Sequence, residues 1–432
     1  MIGKTVAATT IGCKVNIYDT QGILEIFAKY GYAVVDFSEI ADVYVINTCS
    51  VTNLADKKSR QMIGQAKRRN PQAVVAAVGC SSQANPDVYR DLGVDIVMGT
   101  SGRGQLVHHI ENLNQQPIMD VLPNIRGQKS FENTHITSDT SRTRAFLKIQ
   151  DGCDNFCTYC IIPHVRGPSR SLNFEDLIGQ AAAFAYAGYK EIVVAGIHVA
   201  SYGKDLQEWD LVDALTQIAE LKGIERVRLS SVEPNVVTDK FCDFVEKTPK
   251  FCDHLHLSLQ SGSDKILQLM NRKYTAGEYG RAVEQIRAVR PKISITTDII
   301  AGFPSETEEE HRQSMEFVQT LNLSGLHVFP YSAKSGTAAA GMADQIPKTV
   351  KKQRVAELLE MGNHLAVSHY QDFVGQTMPV LVEEVSKNGL YLGKTANYMP
   401  VAFTSNEGGL ANQIVNVTLN SADKNGLVGT CQ

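Results

Sequence analysis

Short runs rich in β-branched residues recur along this chain, with helical patterns between them. Four lie within residues 1–100: "TVAATTIG", "DVYVINT", "AVVAAVG" and "VDIVMG". Six more follow: "AFLKIQ", "EIVVAGIHV", "RVRLSSVEP", "HLHLSLQSG", "ISITTDIIAGF" and "LHVFPYSAK". A strand followed by a helix and another strand pairs in parallel, because the helix carries the chain back to the starting edge. The first series predicts an open parallel α/β sheet. The second predicts a partial (β/α)6 barrel with its functional residues at the strand ends.

Other segments frame these two series. Asn53 to Arg69 reads as a helix that opens with the cap-competent Asn53 and Asp56. A short helical piece, Gly104 to Asn112, leads into "NIRGQKSFENTHITSDTSRTR", which reads as an interdomain linker. A long polar helix is expected over Lys348 to Gln371. Beyond it the pattern changes to short strands around Asn-Gly turns, the mark of a small all-β barrel. The expected division is residues 1–135, 141–370 and 372–432.

The chain has 432 residues, enough for two or three domains at about 150 residues each. A formal charge of −4 points to no global affinity for nucleic acid, so any basic surface must be local. No signal peptide is visible, and no apolar run reaches the roughly 18 residues that would span a bilayer. The expected home is the cytoplasm, with no membrane partner. Nine cysteines, an odd number in a reducing compartment, argue against a disulfide framework.

Three of those cysteines fall in "QDGCDNFCTYCIIPHVRG", at Cys153, Cys157 and Cys160, just after the first strand of the second series. At this cysteine frequency the spacing is expected by chance about 0.004 times per chain. Three others, Cys13, Cys49 and Cys80, each stand just past the carboxyl end of a strand in the first series. Strand ends of a parallel sheet line one rim, so these three converge. Soft thiolates suit zinc or iron–sulfur clusters. A structural zinc site closes with four ligands. Neither trio has a fourth cysteine, although His164 could complete a zinc site. On a four-iron cluster, three thiolates leave one iron open to a cofactor or substrate.

Cys153-x-x-x-Cys157-x-x-Cys160 resembles the signature of the radical S-adenosylmethionine superfamily, with Tyr159 matching the aromatic residue that usually precedes the third cysteine. The wider pattern, "GCKVN", "NTCSVT" and "VGC" before that core and a small barrel after it, resembles the methylthiotransferases, whose terminal barrel is called TRAM. The resemblance implies two four-iron ([4Fe-4S]) clusters. Cys153, Cys157 and Cys160 would hold the one that cleaves S-adenosylmethionine. Cys13, Cys49 and Cys80 would hold an auxiliary one that hands over sulfur. It also implies two S-adenosylmethionine molecules per turnover, an electron donor such as flavodoxin or ferredoxin, and a sulfur source. Tyr159, Glu233, Gln260 and Asp298 are the expected cofactor-binding residues, while Gly196–His198 ("AGIH") fall in a matching segment of lesser weight.

Two basic groupings flank the cysteines. Lys57, Lys58, Arg60, Lys67, Arg68 and Arg69 share the helix after Cys49, and Arg166 and Arg170 follow Cys160. A charge run is most often a solvated face, but this placement favours phosphate contacts. The anticodon stem-loop of a tRNA is the expected partner, since single-stranded bases can be splayed into a pocket. "GCKVNIYDT", "ADKKSRQMI" and "CTYCIIPHVRGPSRS" resemble the branch that adds a methylthio group to C2 of N6-threonylcarbamoyladenosine. Sister branches act on prenylated adenosine or on an aspartate of a small-subunit ribosomal protein. The terminal barrel is acidic, with Lys387, Lys394 and Lys424 against Asp372, Glu383, Glu384, Glu407 and Asp423, so the expectation is either a local RNA-facing surface with Tyr391 or Tyr398 or the docking of a protein. Two other readings use the same cysteines: a non-catalytic iron–sulfur RNA-binding or sensor protein, and a zinc scaffold.

Overall fold

The structure is a computed structural model that describes residues 4–114, 116–136 and 143–431. Its first sheet is parallel and six-stranded. The strands are β1 (Thr5–Thr10), β2 (Ala33–Val35), β3 (Val43–Thr48), β4 (Val74–Gly79), β5 (Ile96–Met98) and β6 (Ile118–Asp120), in the order β2-β1-β3-β4-β5-β6. Alternate residues of the central strands are buried on opposite faces, as a sheet covered by helices on both sides requires. Val6, Val45 and Ala76 pack with Phe27 and Leu106 on one face. Ala7, Ile46 and Ala77 pack with Ile63 and Ala66 on the other. The four expected strands are present. The edge strands β2 and β6 went unforeseen, because three residues are too few to display a period.

The second series curves into the partial barrel. Its strands are β7 (Arg144–Asp151), β8 (Arg170–Ser171), β9 (Glu191–Gly196), β10 (Arg226–Leu229), β11 (His254–His256), β12 (Ser294–Ala301) and β13 (Gly325–Pro330). They form two sheets, β10-β9-β7-β8 and β11-β12-β13, joined by bridges Val227–Phe251 and Val232–Leu257. All six expected strands run parallel in chain order, and the two-residue β8 adds an antiparallel edge on β7. Helix Lys348–Gln371 has the expected bounds. It leads into β14 (Thr377–Val385), β15 (Tyr391–Thr395), β16 (Pro400–Thr404), β17 (Ile414–Asp423) and β18 (Gly426–Cys431), which close as a barrel.

That barrel docks where the core strands begin. Arg226 donates to the carbonyls of Lys394 (3.0 Å) and Pro379 (2.7 Å), and Arg144 pairs with Glu383 at 2.8 Å. Tyr398 stacks on His254, ring centroids 4.9 Å apart, with Arg228 over its ring at 4.7 Å. Tyr398 is therefore part of this interface, which corrects its expected place on an RNA-facing surface. Tyr391 stacks on Phe403 instead.

The expected linker is also corrected where it is described. Ile125 and Ile136 are buried, Glu132 pairs with Arg103, and Phe131 lies under the Lys148 ammonium. These contacts hold down the segment up to residue 136. Residues 137–142 of the expected linker lie outside the described residues.

Candidate active site

Cys13, Cys49 and Cys80 follow β1, β3 and β4, which are neighbours in the sheet, so the topology brings the three to one edge. Their loops are cross-braced. Asn16 donates to the carbonyls of Ile11 (2.8 Å) and Thr48 (3.0 Å), while the Thr48 hydroxyl accepts from the backbone N–H of Ser81 and Ser82, both at 3.1 Å. Glycine precedes Cys13 and Cys80 for a steric reason. Gly12 has φ +114° and a Cβ there would lie 2.8 Å from the Cys49 sulfur; Gly79 has φ +103° and a Cβ would lie 2.4 Å from Asn47.

The second trio lies on the loop after β7. Asp151 Oδ1 accepts the Gly152 N–H, Cys153 N–H donates to Gly167 O, and Thr158 N–H donates to Met270 O. Asn271 holds the loop's crest through the carbonyls of Asn155 and Phe156. This loop lines a cavity of about 150 Å³ together with His198, Glu233, Gln260 and Arg272. Glu233 accepts from Asn155 Nδ2 at 2.9 Å and pairs with Arg272 at 3.0 Å and His198 at 3.5 Å. Burial works against its charge, but His198 and Arg272 hold Glu233 below the ordinary carboxylate range. Gln260 adopts φ +73°, a conformation that costs a non-glycine residue about 1–3 kcal/mol and that clusters at functional sites.

A second cavity of about 270 Å³ adjoins the first through Tyr159 and Gln260. Asp298, Phe329 and Tyr331 line it from the core, and Val51 and Thr52 from the segment just past Cys49. Asn53 N–H donates to Ser332 at 3.4 Å, and Asp56 pairs with Lys334, which seats the Cys49 loop over the strand ends. The space therefore lies between the two cysteine loops.

The thiols suit a metal cluster. Burial and the neighbouring Cys80 push Cys49 up to about 12; burial pushes Cys160 up to about 12 and Cys153 up to about 11. At neutral pH such thiols hold their protons until a metal displaces them. Among the described residues, no group of three or more His, Cys, Asp or Glu side chains fits a single metal ion. A cluster binds each thiolate at a separate iron, so its ligands need not converge on one point. His164 is exposed, with its ring edge against Phe156 at 5.8 Å.

Of the expected site residues, Tyr159, Glu233, Gln260 and Asp298 all line one or both cavities. His198 and Arg272 were undervalued or missed. "AGIH" offered a signal for the first, whereas Arg272 sits in no motif and reaches the site only through the fold. The basic expectations divide. Lys57, Lys58, Arg60 and Arg68 are exposed. Lys67 donates to the carbonyls of Leu92 and Gly93, and Arg69 donates to Phe37 O and lies over the Phe37 ring at 5.5 Å. Arg166 and Arg170 are corrected outright as RNA contacts. Arg166 is fully buried, and Arg170 is buried with hydrogen bonds to Arg166 O and Pro168 O, so neither can meet a phosphate.

Buried charge and a strand-end cysteine loop over a partial barrel define the class as a radical S-adenosylmethionine fold, and the comparisons with known proteins agree. The profile of the Radical SAM superfamily matches residues 147–318, that of Uncharacterized protein family UPF0004 residues 5–99, and that of the TRAM domain residues 371–430. A solved radical S-adenosylmethionine methyltransferase, TsrM from Kitasatospora setae, shares the fold with a TM-score of 0.57 at 14% identity, over 78% of this chain and 74% of that one. The threonylcarbamoyladenosine tRNA methylthiotransferase MtaB of Bacillus subtilis (strain 168) is 41% identical over 93% of this chain and 91% of its own length. MtaB of Aquifex aeolicus (strain VF5) is 39% identical over 92% and 96%. The tRNA-2-methylthio-N(6)-dimethylallyladenosine synthase of Desulfitobacterium hafniense (strain Y51) is 34% identical over 100% and 98%. The chain belongs to the radical S-adenosylmethionine methylthiotransferase family. It is an enzyme that transfers sulfur-containing groups, and its superfamily implies a [4Fe-4S] cluster and S-adenosylmethionine. Among the described residues, no helix is long and apolar enough to cross a membrane.

Proposed function

We propose that this enzyme adds a methylthio group to C2 of N6-threonylcarbamoyladenosine beside the anticodon of tRNA. The observation that carries the reading is the cavity bounded by Tyr159, Gln260 and Asp298 on one side and by Val51 and Thr52 on the other. A base held there lies between the two places where thiols are gathered. Phe329 and Tyr331 offer flat faces on which an inserted base can stack. The relatives named for threonylcarbamoyladenosine match at 36–41% identity, and those named for dimethylallyladenosine at 34–36%.

Cys153, Cys157 and Cys160 hold the cluster that binds S-adenosylmethionine, and Cys13, Cys49 and Cys80 hold an auxiliary [4Fe-4S] cluster. When bound, these groups supply a carbon radical able to remove hydrogen from C2 and a methylthio group to replace it, with two S-adenosylmethionine molecules used per turnover. The chain's own residues do the rest. Glu233, kept ionised, is placed to hold the ammonium of the amino-acid part of S-adenosylmethionine, and Arg272 its carboxylate. Tyr159 and Gln260 separate the cofactor cavity from the base cavity. With a base seated between Phe329, Tyr331 and the Cys49 loop, little room is left for water at the reacting carbon. The electron comes from a flavodoxin- or ferredoxin-type donor and the sulfur from an outside source. We place the protein in the cytoplasm, where its tRNA substrate is.

The test is mass spectrometry of tRNA nucleosides from cells with and without the protein. Loss of the methylthio form of threonylcarbamoyladenosine alone is expected. Loss of the methylthio form of the prenylated nucleoside instead moves the chain to the sister branch, and unchanged tRNA overturns the reading.

A further inference from the structure

Arg166 is, among the described residues, the largest side chain with no exposed surface, and it stands six residues after Cys160. Burying a guanidinium costs several kcal/mol unless every donor is met. Here all five are. Nη1 bonds both Asp151 oxygens (2.9 and 3.0 Å), and Nη2 bonds Asn16 Oδ1 (2.6 Å) and Asp19 Oδ2 (3.0 Å). Nε, the one remaining donor, lies 3.2 Å from the Cys80 sulfur.

The partners come from both cysteine regions. Asp151 closes the base of the Cys153–Cys160 loop, whose far end is Arg166 itself. Asn16 braces the Ile11 and Thr48 carbonyls that precede Cys13 and Cys49. Lys148 and Arg103 share Asp19 with Arg166 at 2.7 and 2.8 Å, so four cations, Arg170 included, face Asp19, Asp151 and Glu132. Parting the two regions would strip the guanidinium of Asn16, Asp19 and the Cys80 sulfur and leave it Asp151 alone.

We propose that Arg166 is a positioning residue. It locks the Cys80 sulfur against the base of the radical-cluster loop, fixes the spacing of the two loops, and through its N–H···S bond raises the reduction potential of the iron bound at Cys80. The redox part rests on Cys80 being a ligand of the auxiliary cluster. An electron added to a cluster increases negative charge on its sulfurs, so a donor and a cation aimed at one of them favour the reduced form. Arg272 makes a similar approach to Cys157 at 3.4 Å, but its charge faces Glu233 on the cavity wall. Arg166 is buried, so it acts through the groups it bonds, and of these Cys80 is the one cysteine.

The experiment uses the full chain, reconstituted without oxygen, with EPR-monitored redox titration of both clusters. Arg166→Gln should lower the auxiliary midpoint and leave that of the S-adenosylmethionine-binding cluster unchanged. Arg166→Lys, which keeps the charge but lacks the fork, should fall between. Loss of auxiliary iron in Arg166→Gln is also an outcome of the lock, and Arg166→Lys then reads the redox effect. Wild-type midpoints in both variants, with iron retained, overturn the proposal. Cys80→Ala separates the two readings: if it keeps full iron, Cys80 is no ligand, whereas iron loss there with unmoved midpoints at Arg166 removes the role of the arginine alone.

Discussion

Gly12 and Gly79 each stand one residue before a gathered cysteine, and each has a backbone that an L side chain rarely adopts. At Gly12 the strain is joined by a direct clash, since the added methyl meets the Cys49 sulfur. Gly12→Ala should therefore displace Cys49 while leaving the Cys153–Cys160 loop intact. Iron per chain should fall by roughly half, with reductive cleavage of S-adenosylmethionine to 5′-deoxyadenosine persisting and methylthiolation lost. Iron analysis and a 5′-deoxyadenosine assay check both halves. Cys157→Ala should do the reverse and abolish cleavage. The cysteine pattern was legible because spacing is local. Arg166 was misread because its partners are not: Cys80 and Asp19 lie 86 and 147 positions away, and a basic residue near a cysteine motif looks the same whether it will be sealed or solvated.

Among the elements, helix Asn53–Arg69 shows how one charge run can hold two roles. Thr52 caps it by accepting from Ala55 N–H, and its first turn is fixed to the core at Ser332, so it projects from the mouth of the base cavity. Lys57, Lys58 and Arg60 face solvent near that mouth, whereas Lys67 and Arg69 near its far end anchor to the rest of its own domain. Reversing Lys57, Lys58 and Arg60 to Glu should weaken tRNA binding and flatten its salt dependence, by about one unit of slope for each phosphate no longer neutralised. The same change at Lys67 and Arg69 should instead lower the melting temperature. Binding isotherms at several salt concentrations and thermal melts distinguish the two. Both this helix and Lys348–Gln371 were readable from their length, although Thr52, not the expected Asn53 or Asp56, caps the first and no side chain caps the second. Strands β2, β6 and β8, three residues or fewer, owe their pairing to neighbours and carry almost no pattern of their own.

For the whole molecule, the seam between core and terminal barrel carries a pH dependence. His254 is buried under Tyr398, and burial together with Arg228 and His256 holds its imidazole well below the ordinary 6.5. The unfolded chain takes up that proton near pH 6.5 while the folded one stays neutral. Stability from this group is thus full above pH 6.5 and is lost on acidification, by about 1.4 kcal/mol per pH unit below it. Denaturant melts at pH 7.5 and 5.5 should show the loss, and His254→Asn should reduce it. The seam has one more consequence. The terminal barrel sits where the core strands begin, and the cysteine loops sit where they end, so the two are separated by the height of an eight-residue strand, about 26 Å. If the barrel also touches the RNA, strand length sets the distance between the two contacts, as in a calliper. A tRNA fragment too short to reach the barrel should then be methylthiolated more slowly than whole tRNA, which a comparison of the two substrates checks.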